Sequence, residues 1–431
     1  MKKVLIITYY WPPSGGAGVQ RWLKYSKYLL EFGIEPIIVT VNADKASYPV
    51  IDNSLLYEIP KAIRVYHTHT FEPFEFYKTL SGKKQIPYAG FANEGKLTIF
   101  KKAMRFIRGN FFIPDARKGW NKYAFKQCCE LIEKEKIETI IVTSPPHSSQ
   151  LIGLELKRKF KLKWIADIRD PWTDIYYYDK LLHTSWAKKK DAHYEREVLE
   201  NTDEIIVVSN SIKKMFLQKS NSIQSEKIHV IPNGYDENDF EKTVQNTSSE
   251  FIIAYTGTIT GEYKIDSFIS ALKKLIGGYP EIKFRLRFVG SVSGEIKNKL
   301  ENTLNAFTEI IPHVAHAEAV KYLLSSTLLL LAIPDVKDNE GILTGKLFEY
   351  LASQKLILCL GPTHGEAAQI IKDCNAGKTF NYGDEKEIFS ALQEILDDWK
   401  NEKQLRLFSD NFKKYSRQIQ ANEIAEIIKA N

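Results

Sequence analysis

The sequence predicts an α/β protein made of two Rossmann-like halves. Short apolar, β-branched runs alternate with segments of helical periodicity along most of the 431 residues, a pattern typical of parallel strands joined by crossover helices. The pattern begins twice, at residues 4–8 and again at 252–256, and each time a glycine-containing turn and a helix follow. The length is sufficient for two domains that each bury a core of their own.

The expected strands fall into two groups. Those of the first half are residues 4–8, 36–41, 139–143, 164–167 and 204–209, and those of the second are 251–257, 284–290, 327–333 and 356–361. We therefore expect a first domain over residues 1–233, a second over 234–410 and a final helical segment over 411–431, with the hinge between residue 234 and the polar stretch 243–250. No short internal repeat is visible.

Composition restricts the class of protein. With 44% hydrophobic and 26% charged residues the chain is expected to fold throughout. Its four cysteines, Cys128, Cys129, Cys359 and Cys374, lack the paired spacing of a metal site or a disulfide scaffold, which favours a reducing cytoplasm. The first apolar run is too short for a signal peptide. The most apolar later stretch, residues 323–334, is shorter than the roughly 20 residues of a membrane span.

The net charge of +7 is concentrated in one region. Residues 78–126 carry twelve lysines and arginines against Glu94 and Asp115 only. Within this region the segment around residues 100–111 has helical periodicity, with one apolar and one basic face. The apolar face consists of Phe100, Ala103, Met104, Ile107 and Phe111, and the basic face of Lys101, Arg105 and Arg108.

Two interpretations of this helix are open. The common one is a helix with its apolar face on the core and its basic face in solvent, and composition alone favours it. The other is a helix that lies on an anionic membrane or near an acidic substrate, with Lys101, Arg105, Arg108 and Arg117 as contacts. Nucleic acid is not expected as a partner, because no recognised binding module accompanies the basic residues.

The strongest functional signal lies at residues 344–353, after an apolar strand and a short acidic loop. Thr344 can cap a helix there and Gly345 allows a ligand to approach the backbone. The first-turn N–H groups and the helix dipole favour an anion, and Lys346 adds a positive charge. Glu349 follows one turn later, within reach of hydroxyls beyond a bound phosphate. This arrangement predicts a nucleotide site.

The segment 344–353 resembles the donor-binding helix of family 4 retaining glycosyltransferases of the GT-B fold. Four further segments fall in the family's order: 10–18, 144–147, 167–172 and 231–234. The resemblance implies two Rossmann-like domains facing across a cleft. It further implies an acceptor in the first domain, a nucleotide sugar in the second, and a final helix that packs back on the first. Since no Asp-x-Asp or HExxH motif occurs in the sequence, we expect no metal and no other cofactor.

The resemblance also assigns candidate residues. Expected catalytic residues are His147, Arg169 and Asp170, near probable strand ends. Expected donor-binding residues are Gly15, Gly16, Thr258, Lys264, Glu340, Thr344, Gly345, Lys346, Leu347 and Glu349. The chain departs from the family pattern in two places: Thr258 stands where relatives carry an arginine, and Glu340 is one residue out of register with the usual second glutamate. Asp338 is a substitute for Glu340.

Each candidate has a structural alternative. The glycines at 15–18 can serve a tight strand-to-helix turn, and they fit the NAD-binding fingerprint poorly because its third glycine is missing. His147 can be a structural histidine. Arg169 can form an ion pair with Asp167 or Asp170.

The sequence therefore predicts a cytoplasmic glycosyltransferase, of hexosyl or N-acetylhexosaminyl type, at the inner face of the cell membrane. It would transfer a sugar from a nucleotide sugar to a lipid-linked glycan in the synthesis of a cell-surface polysaccharide such as lipopolysaccharide or capsule. The alternatives are a nucleotide-sugar epimerase of the same fold and a non-catalytic nucleotide-sugar-binding scaffold. A nicotinamide dehydrogenase is a weaker alternative.

Overall fold

The computed structural model describes residues 1–72, 99–240, 249–401 and 408–430. The chain divides into two compact units, unit 1 with Met1–Pro232 and Arg417–Asn431, and unit 2 with Asn233–Ser416. Each unit contains one parallel sheet with helices on its faces. The predicted α/β class with two Rossmann-like halves is confirmed.

Unit 1 holds a sheet of seven parallel strands in the order β3-β2-β1-β4-β5-β6-β7. The strands are β1 Lys2–Ile7, β2 Ile34–Val41, β3 Arg64–Thr68, β4 Thr139–Ser144, β5 Lys163–Ile168, β6 Glu204–Val207 and β7 Ile228–Val230. The helices are α1 Ala17–Leu29, α2 Ile99–Phe111, α3 Asn121–Glu135, α4 Gln150–Lys159, α5 Ser185–Asn201, α6 Asn210–Leu217 and, at the end of the chain, α13 Arg417–Lys429.

Unit 2 holds a sheet of six parallel strands in the order β10-β9-β8-β11-β12-β13. The strands are β8 Phe251–Thr256, β9 Phe284–Val289, β10 Thr308–Ile311, β11 Leu328–Ala332, β12 Leu356–Leu360 and β13 Gly377–Phe380. The helices are α7 Asp266–Gly278, α8 Gly294–Leu304, α9 His316–Leu324, α10 Gly345–Ser353, α11 Glu366–Asp373 and α12 Glu385–Lys400.

All nine predicted strands are present, and in the described parts of the chain the sequence missed four others, β3, β7, β10 and β13. These four are the two edge strands of each sheet. A central strand is covered on both faces and must be apolar throughout, as in β11, where every residue is buried. An edge strand such as β10 is only partly buried and carries polar residues, so it gives a weaker signal.

The final helix α13 belongs to unit 1. Its apolar residues Ala421, Ile424, Ala425 and Ile428 are fully buried in the cluster that also contains residues of α1. The Tyr25 hydroxyl on α1 donates a hydrogen bond to Gln420 Oε1 at 2.7 Å. The last helix is therefore part of the core of the first unit, although it is far from that core in sequence.

The orientation of α2 differs from both sequence interpretations. On its basic face Arg105 is only 8% exposed, whereas on its apolar face Phe111 is 75% exposed and Ile107 41% exposed. Arg117, which follows in the chain, is 7% exposed. The prediction that Arg105 and Arg117 present their charge to a membrane is therefore corrected, because helical periodicity defines two faces without saying which one is packed. The lysines at 78, 83, 84 and 96 lie outside the described residues.

Both sheets place their candidate residues at the carboxyl ends of the strands. In unit 1 the turns after β1, β4 and β5 carry Gly15, His147 and Arg169, and in unit 2 the connections after β8 and β11 carry Thr258 and Lys346. Parallel sheets collect ligands at this edge. Among the described helices, none combines the length and the apolar character needed to span a membrane.

Candidate functional site

The nucleotide helix predicted in unit 2 begins where expected. Thr344 is the N-cap residue of α10 with extended backbone angles, φ −81° and ψ 147°. Its hydroxyl makes no capping bond, and this buried oxygen has no hydrogen-bond partner among the described residues. A buried hydroxyl that is left unsatisfied costs free energy. The start of α10 therefore offers a polar group to a ligand, beside N–H groups that favour an anion.

Lys346 lies over an aromatic ring rather than beside an acid. Its Nζ is 4.0 Å from the centroid of the Tyr255 ring and donates a hydrogen bond to the Tyr255 hydroxyl. That hydroxyl in turn donates to the Thr258 carbonyl at 2.7 Å. Burial lowers the pKa of Lys346 to about 7, and the charge of Glu349 opposes this shift only in part. The ammonium is thus destabilised in the ligand-free protein, and a diphosphate would stabilise it.

The glycine turn after β8 lies against this lysine. Gly257 has φ +99°, which only glycine adopts readily, and a Cβ built there would lie 3.4 Å from Lys346 Nζ. Gly290, with φ +130°, packs against the carbonyl of Gly257 so closely that any side chain would overlap it. The two turns therefore hold the backbone of residues 257–258 in place next to the ammonium.

Glu349 is held by a histidine that the sequence analysis did not identify. His316, the first residue of α9, lies with Nε2 3.0 Å from Glu349 Oε1 and Nδ1 3.8 Å from Asp239 Oδ2. Each of these three side chains is only partly exposed. One carboxylate oxygen of Glu349 is engaged by this contact, which orients the side chain. The loop before α9 carries no motif, so no sequence signal pointed to His316.

Tyr350 fixes α10 to the sheet. Its fully buried hydroxyl accepts a hydrogen bond from the Thr256 N–H at 2.9 Å and lies 3.4 Å from the Leu330 carbonyl. Since Thr256 ends β8 and Leu330 lies in β11, the tyrosine connects α10 to two central strands. The backbone that presents Lys346 and Glu349 is therefore well supported.

The other predicted donor residues have different environments. Leu347 is fully buried in the core of unit 2, so only its backbone can serve a ligand. Lys264 is exposed and donates to the Gly261 carbonyl at 3.2 Å. Thr258 is partly exposed in the turn beside Lys346, and Glu340 is exposed in a short 3-10 turn, Asn339–Gly341. Asp338 precedes that turn in the left-handed backbone region, with φ 56°.

The glycine turn of unit 1 requires glycine for its backbone conformation, and part of the turn lines a cavity. Gly16 has φ +102°, and a side chain at Gly15 would collide with Val50. These observations support the structural explanation for both glycines. Gly15 also lines a cavity of about 320 Å³ in unit 1. The structure therefore gives this turn a conformational role, and places Gly15 and Gly18, but not Gly16, at the cavity surface.

Asp167 organises the strand ends of unit 1. Its fully buried carboxylate accepts hydrogen bonds from Trp22 Nε1 at 2.7 Å, from Thr143 Oγ1 at 2.7 Å and from Arg21 Nη2 at 3.1 Å. Arg21 is buried as well, and it donates to the Ile231 carbonyl at 2.9 Å. The ion pair suggested by the sequence for Asp167 is thus made chiefly with Arg21. Arg169 Nε is 4.0 Å from Asp167 Oδ2.

The structure brings His147 and Arg169 to the same cavity. The His147 ring stacks on Trp172 with 4.8 Å between ring centroids and 18° between planes. Burial lowers the pKa of His147 to about 4, so the ring is neutral near pH 7. Its Nδ1 is buried and has no hydrogen-bond partner among the described residues. A neutral imidazole nitrogen at a cavity can accept or donate a proton.

Arg169 and Asp170 differ in their contacts. Arg169 Nε donates to the Ser144 carbonyl at 3.1 Å, so this guanidinium supports the turn that carries His147. Burial raises the pKa of the Asp170 carboxyl, and the neighbouring Arg169 opposes the shift. Asp170 is not among the residues that line the cavity.

Among the described residues, three arginines and five tyrosine, phenylalanine or tryptophan side chains line the cavity of unit 1. Arg117 Nη2 donates to the Ser47 carbonyl at 3.2 Å, and the nearby Asp115 accepts bonds from the N–H and hydroxyl of Ser148 at 2.8 Å. Sequence reasoning missed most of the aromatic wall, although Trp172 and the run of tyrosines at 176–178 directly follow the motif at 167–170. The charged and aromatic lining comprises Arg108, Arg117, Arg169, Asp115, Asp191, Tyr10, Phe112, Trp172, Tyr177 and Tyr178.

Asp191 holds one side of this wall. Its carboxylate accepts hydrogen bonds from Trp172 Nε1 at 2.8 Å and from the Tyr178 hydroxyl at 2.9 Å. Burial raises its pKa to about 6. Within the part of the chain that the structure describes, no cluster of three or more His, Cys, Asp or Glu side chains could hold a metal ion.

A family model matches a part of the chain that contributes many of the residues of this cavity. Residues 89–239 match the family model described as Glycosyltransferase Family 4. The resemblance to glycosyltransferase family 4 is confirmed. The family 4 match includes His147, Arg169 and Asp170. No curated protein matches the chain in sequence.

Solved structures share the fold of the whole chain. WaaG, a glycosyltransferase involved in lipopolysaccharide biosynthesis, is 13% identical, with a TM-score of 0.57 over 99% of this chain and 100% of its own. Anabaena HepE in complex with UDP-glucose is 11% identical, with a TM-score of 0.56 over 99% and 95%. A Listeria monocytogenes protein assigned as a UDP-N-acetylglucosamine 2-epimerase is 12% identical, with a TM-score of 0.56 over 100% and 96%. The GT-B fold that the family 4 resemblance implied is confirmed.

Proposed function

We propose that this protein is a retaining glycosyltransferase that transfers a sugar from a nucleotide sugar to a glycan acceptor in cell-surface polysaccharide synthesis. The observation that carries the proposal is the start of α10. There the Thr344 hydroxyl has no partner among the described residues, and the Lys346 ammonium rests on the neutral ring and hydroxyl of Tyr255. Glu349 lies one turn further on the same helix. A diphosphate would satisfy the first two groups, and a ribose hydroxyl could bond to the carboxylate.

The reaction this site would serve depends on a leaving group. The bond between the anomeric carbon and the diphosphate oxygen breaks, and the electron pair leaves with the diphosphate. An acceptor hydroxyl then bonds to the same face of the anomeric carbon and loses its proton. Charge develops on the diphosphate as an oxocarbenium-like state forms. Lys346 and the dipole of α10 would stabilise that charge without a metal ion.

Unit 1 would hold the acceptor. The aromatic wall of its cavity offers flat apolar faces, and Arg108 and Arg117 offer positive charge to a phosphate group of a lipid-linked glycan. The neutral His147 lies in the same wall and is a candidate to contact the reacting hydroxyl. Asp170 lies outside the cavity lining, so the proton of that hydroxyl would pass to an oxygen of the departing diphosphate. The four buried, unpaired cysteines fit synthesis in a reducing cytoplasm, at the inner face of the membrane.

A donor screen tests the proposal. The purified protein is mixed with UDP-, GDP- and dTDP-sugars of the hexosyl and N-acetylhexosaminyl types, in EDTA and in Mg²⁺, and its unfolding temperature and release of nucleoside diphosphate are followed. We expect one donor class to stabilise the protein and to be slowly hydrolysed equally well in EDTA. The variants Lys346→Ala and Glu349→Ala should lose both effects. Lys273→Ala, an exposed lysine on α7, should behave like wild type.

The same screen separates the alternatives. The shared fold of the Listeria epimerase favours epimerisation as the second candidate, and interconversion of free nucleotide sugars without release of diphosphate would establish it in place of transfer. Binding without turnover, even with lipid-linked acceptors added, would support a non-catalytic scaffold. If no nucleotide sugar binds, the assignment of α10 as the donor helix is wrong.

A further inference from the structure

An apolar face of α2 is exposed in unit 1. The outward side chains recur at helical spacing, with Ile99 88% exposed, Phe106 43%, Ile107 41% and Phe111 75%. The opposite face is packed, since Arg105 is buried and Arg108 and Gly109 line the cavity described above. A solvent-exposed run of large apolar residues on one helix indicates an interaction surface.

A second segment extends this surface at the carboxyl end of α2. Asn110 Nδ2 donates to the Leu182 carbonyl at 3.1 Å, and Asn110 Oδ1 accepts from the Thr184 N–H at 2.7 Å. These bonds bring the start of α5 next to α2. Leu182 is 44% exposed and Trp186, on the first turn of α5, is 61% exposed.

Lysines surround the apolar residues. Lys102 is exposed on α2 beside them and Lys189 is exposed on α5, whereas the neighbouring Lys188 pairs with Asp179 at 2.7 Å. Lys190 Nζ lies 4.7 Å from the centroid of the Trp186 ring. A tryptophan and lysines at the border of an aliphatic and aromatic surface are the arrangement that suits the boundary between lipid headgroups and acyl chains.

The lysines distinguish between two binding partners for this surface, a second copy of the chain and a lipid bilayer. If a second copy of the chain packed on this surface face to face, the lysines of both copies would be brought together, and like charges repel. An anionic lipid bilayer instead accepts the apolar side chains and attracts the lysines.

We propose that the outer face of α2, together with Leu182 and Trp186, docks the protein on an anionic lipid bilayer. This surface specifies which residues would hold the protein at the membrane location proposed above. It would set the cavity of unit 1 close to the lipid, because α2 carries residues of both. Only this link between the lipid and the acceptor cavity rests on the proposed function. Docking itself requires neither a donor nor catalysis.

Vesicle flotation without substrates tests the proposal. Wild type should float with phosphatidylcholine vesicles that contain phosphatidylglycerol, and markedly less with phosphatidylcholine alone or in high salt. The triple variant Phe106→Ser, Ile107→Ser, Phe111→Ser should lose affinity on the order of 100-fold. Lys102→Gln with Lys189→Gln should lose roughly tenfold, and only on anionic vesicles.

A matched control uses exposed apolar residues elsewhere on unit 1. The triple variant Leu56→Ser, Tyr57→Ser, Ile419→Ser removes residues that are 44%, 92% and 43% exposed, and should bind vesicles like wild type. Circular dichroism confirms that each variant is folded, and donor-induced stabilisation reports separately on unit 2. Donor binding and vesicle binding are separate readouts, so failure of the proposed function and failure of this inference can be told apart.

A second measurement uses a single substitution on the surface. Vesicles with brominated acyl chains should quench part of the tryptophan fluorescence of wild type, and Trp186→Phe should remove that quenching. Absence of wild-type flotation, or equal flotation of the α2 triple variant and wild type, overturns the proposal. So does a wild-type dimer that the α2 substitutions convert to a monomer while vesicle binding is unchanged, because the face would then belong to a second copy.

Discussion

Each unit places a cation next to a glycine that follows its first strand, and the two cations have different surroundings. In unit 1 Arg169 packs so closely on Gly18 that a side chain there would overlap it, and in unit 2 Lys346 lies beside Gly257. Arg169 is bonded to the Ser144 carbonyl and lies near the Asp167 carboxylate. Lys346 is bonded to a phenol and lies over its ring.

The difference distinguishes a cation that stabilises the fold from a cation that can bind a ligand. A guanidinium whose donors meet carbonyl oxygens contributes to the stability of the turn it supports. An ammonium without an adjacent acid keeps most of its desolvation cost until an anion arrives. The family resemblance assigned both residues to the site, whereas the contacts favour a structural role for Arg169 and a donor-binding role for Lys346.

The largest expected effect is that of Lys346→Met on the donor reaction. We expect kcat/KM for the nucleotide sugar to fall by about 100- to 1000-fold, because a group that stabilises the leaving diphosphate is lost. The unfolding temperature should stay equal or rise, since the change removes an ammonium from apolar surroundings. Steady-state kinetics and a thermal melt check both parts. A lower unfolding temperature would show that Lys346 is structural after all.

Arg169→Met should have the opposite profile. We expect the free energy of unfolding to fall by about 1–3 kcal/mol, because buried carbonyls of the turn that carries His147 lose their donor. Urea denaturation measures this loss. Arg158→Met removes an exposed arginine that pairs with Glu197 on the surface, and should change stability by less than about 0.5 kcal/mol. If the two variants are equally stable, the contrast between Arg169 and Lys346 disappears.

Donor affinity should depend on pH through Lys346. The pKa of Lys346 is lowered to about 7 in the ligand-free protein, so the side chain is charged below pH 7 and neutral above it. Diphosphate binding favours the charged form, and binding above pH 7 therefore takes up a proton. We expect the affinity for nucleoside diphosphate to fall by up to about tenfold per pH unit between pH 7 and 9. Calorimetry in buffers of different ionisation enthalpy detects the proton, and Lys346→Met should abolish this dependence.

The smallest expected effect concerns His316. Its contact with Glu349 orients the carboxylate without touching the leaving group, so His316→Ala should raise the donor KM by about three- to tenfold and leave kcat within about twofold. His313→Ala, an exposed histidine in the preceding loop, is the matched control. A fall in kcat at unchanged KM would instead assign His316 to the chemical step.

Much of the fold follows from local sequence, and the exceptions share a cause. Every strand that lies inside a sheet was predicted, because a strand covered on both faces must be apolar along its length. The strands β3, β7, β10 and β13 lie at sheet edges and are only partly constrained by burial. Similarly, the start of α10 could be located from Thr344, Gly345 and Lys346, since a helix N-terminus is defined by consecutive residues.

The sequence by itself determined the two α/β halves, the start of α10 with its lysine and glutamate, and an amphipathic segment at α2. Only the tertiary structure decided that Tyr255 and His316 hold Lys346 and Glu349, that Asp167 pairs with Arg21, and that α2 buries Arg105 and exposes Phe106 and Phe111. The physical reason is the separation along the sequence between the residues that interact. Periodicity and capping arise between residues a few positions apart, whereas the environment of a charge depends on groups that the fold brings together from distant parts of the chain.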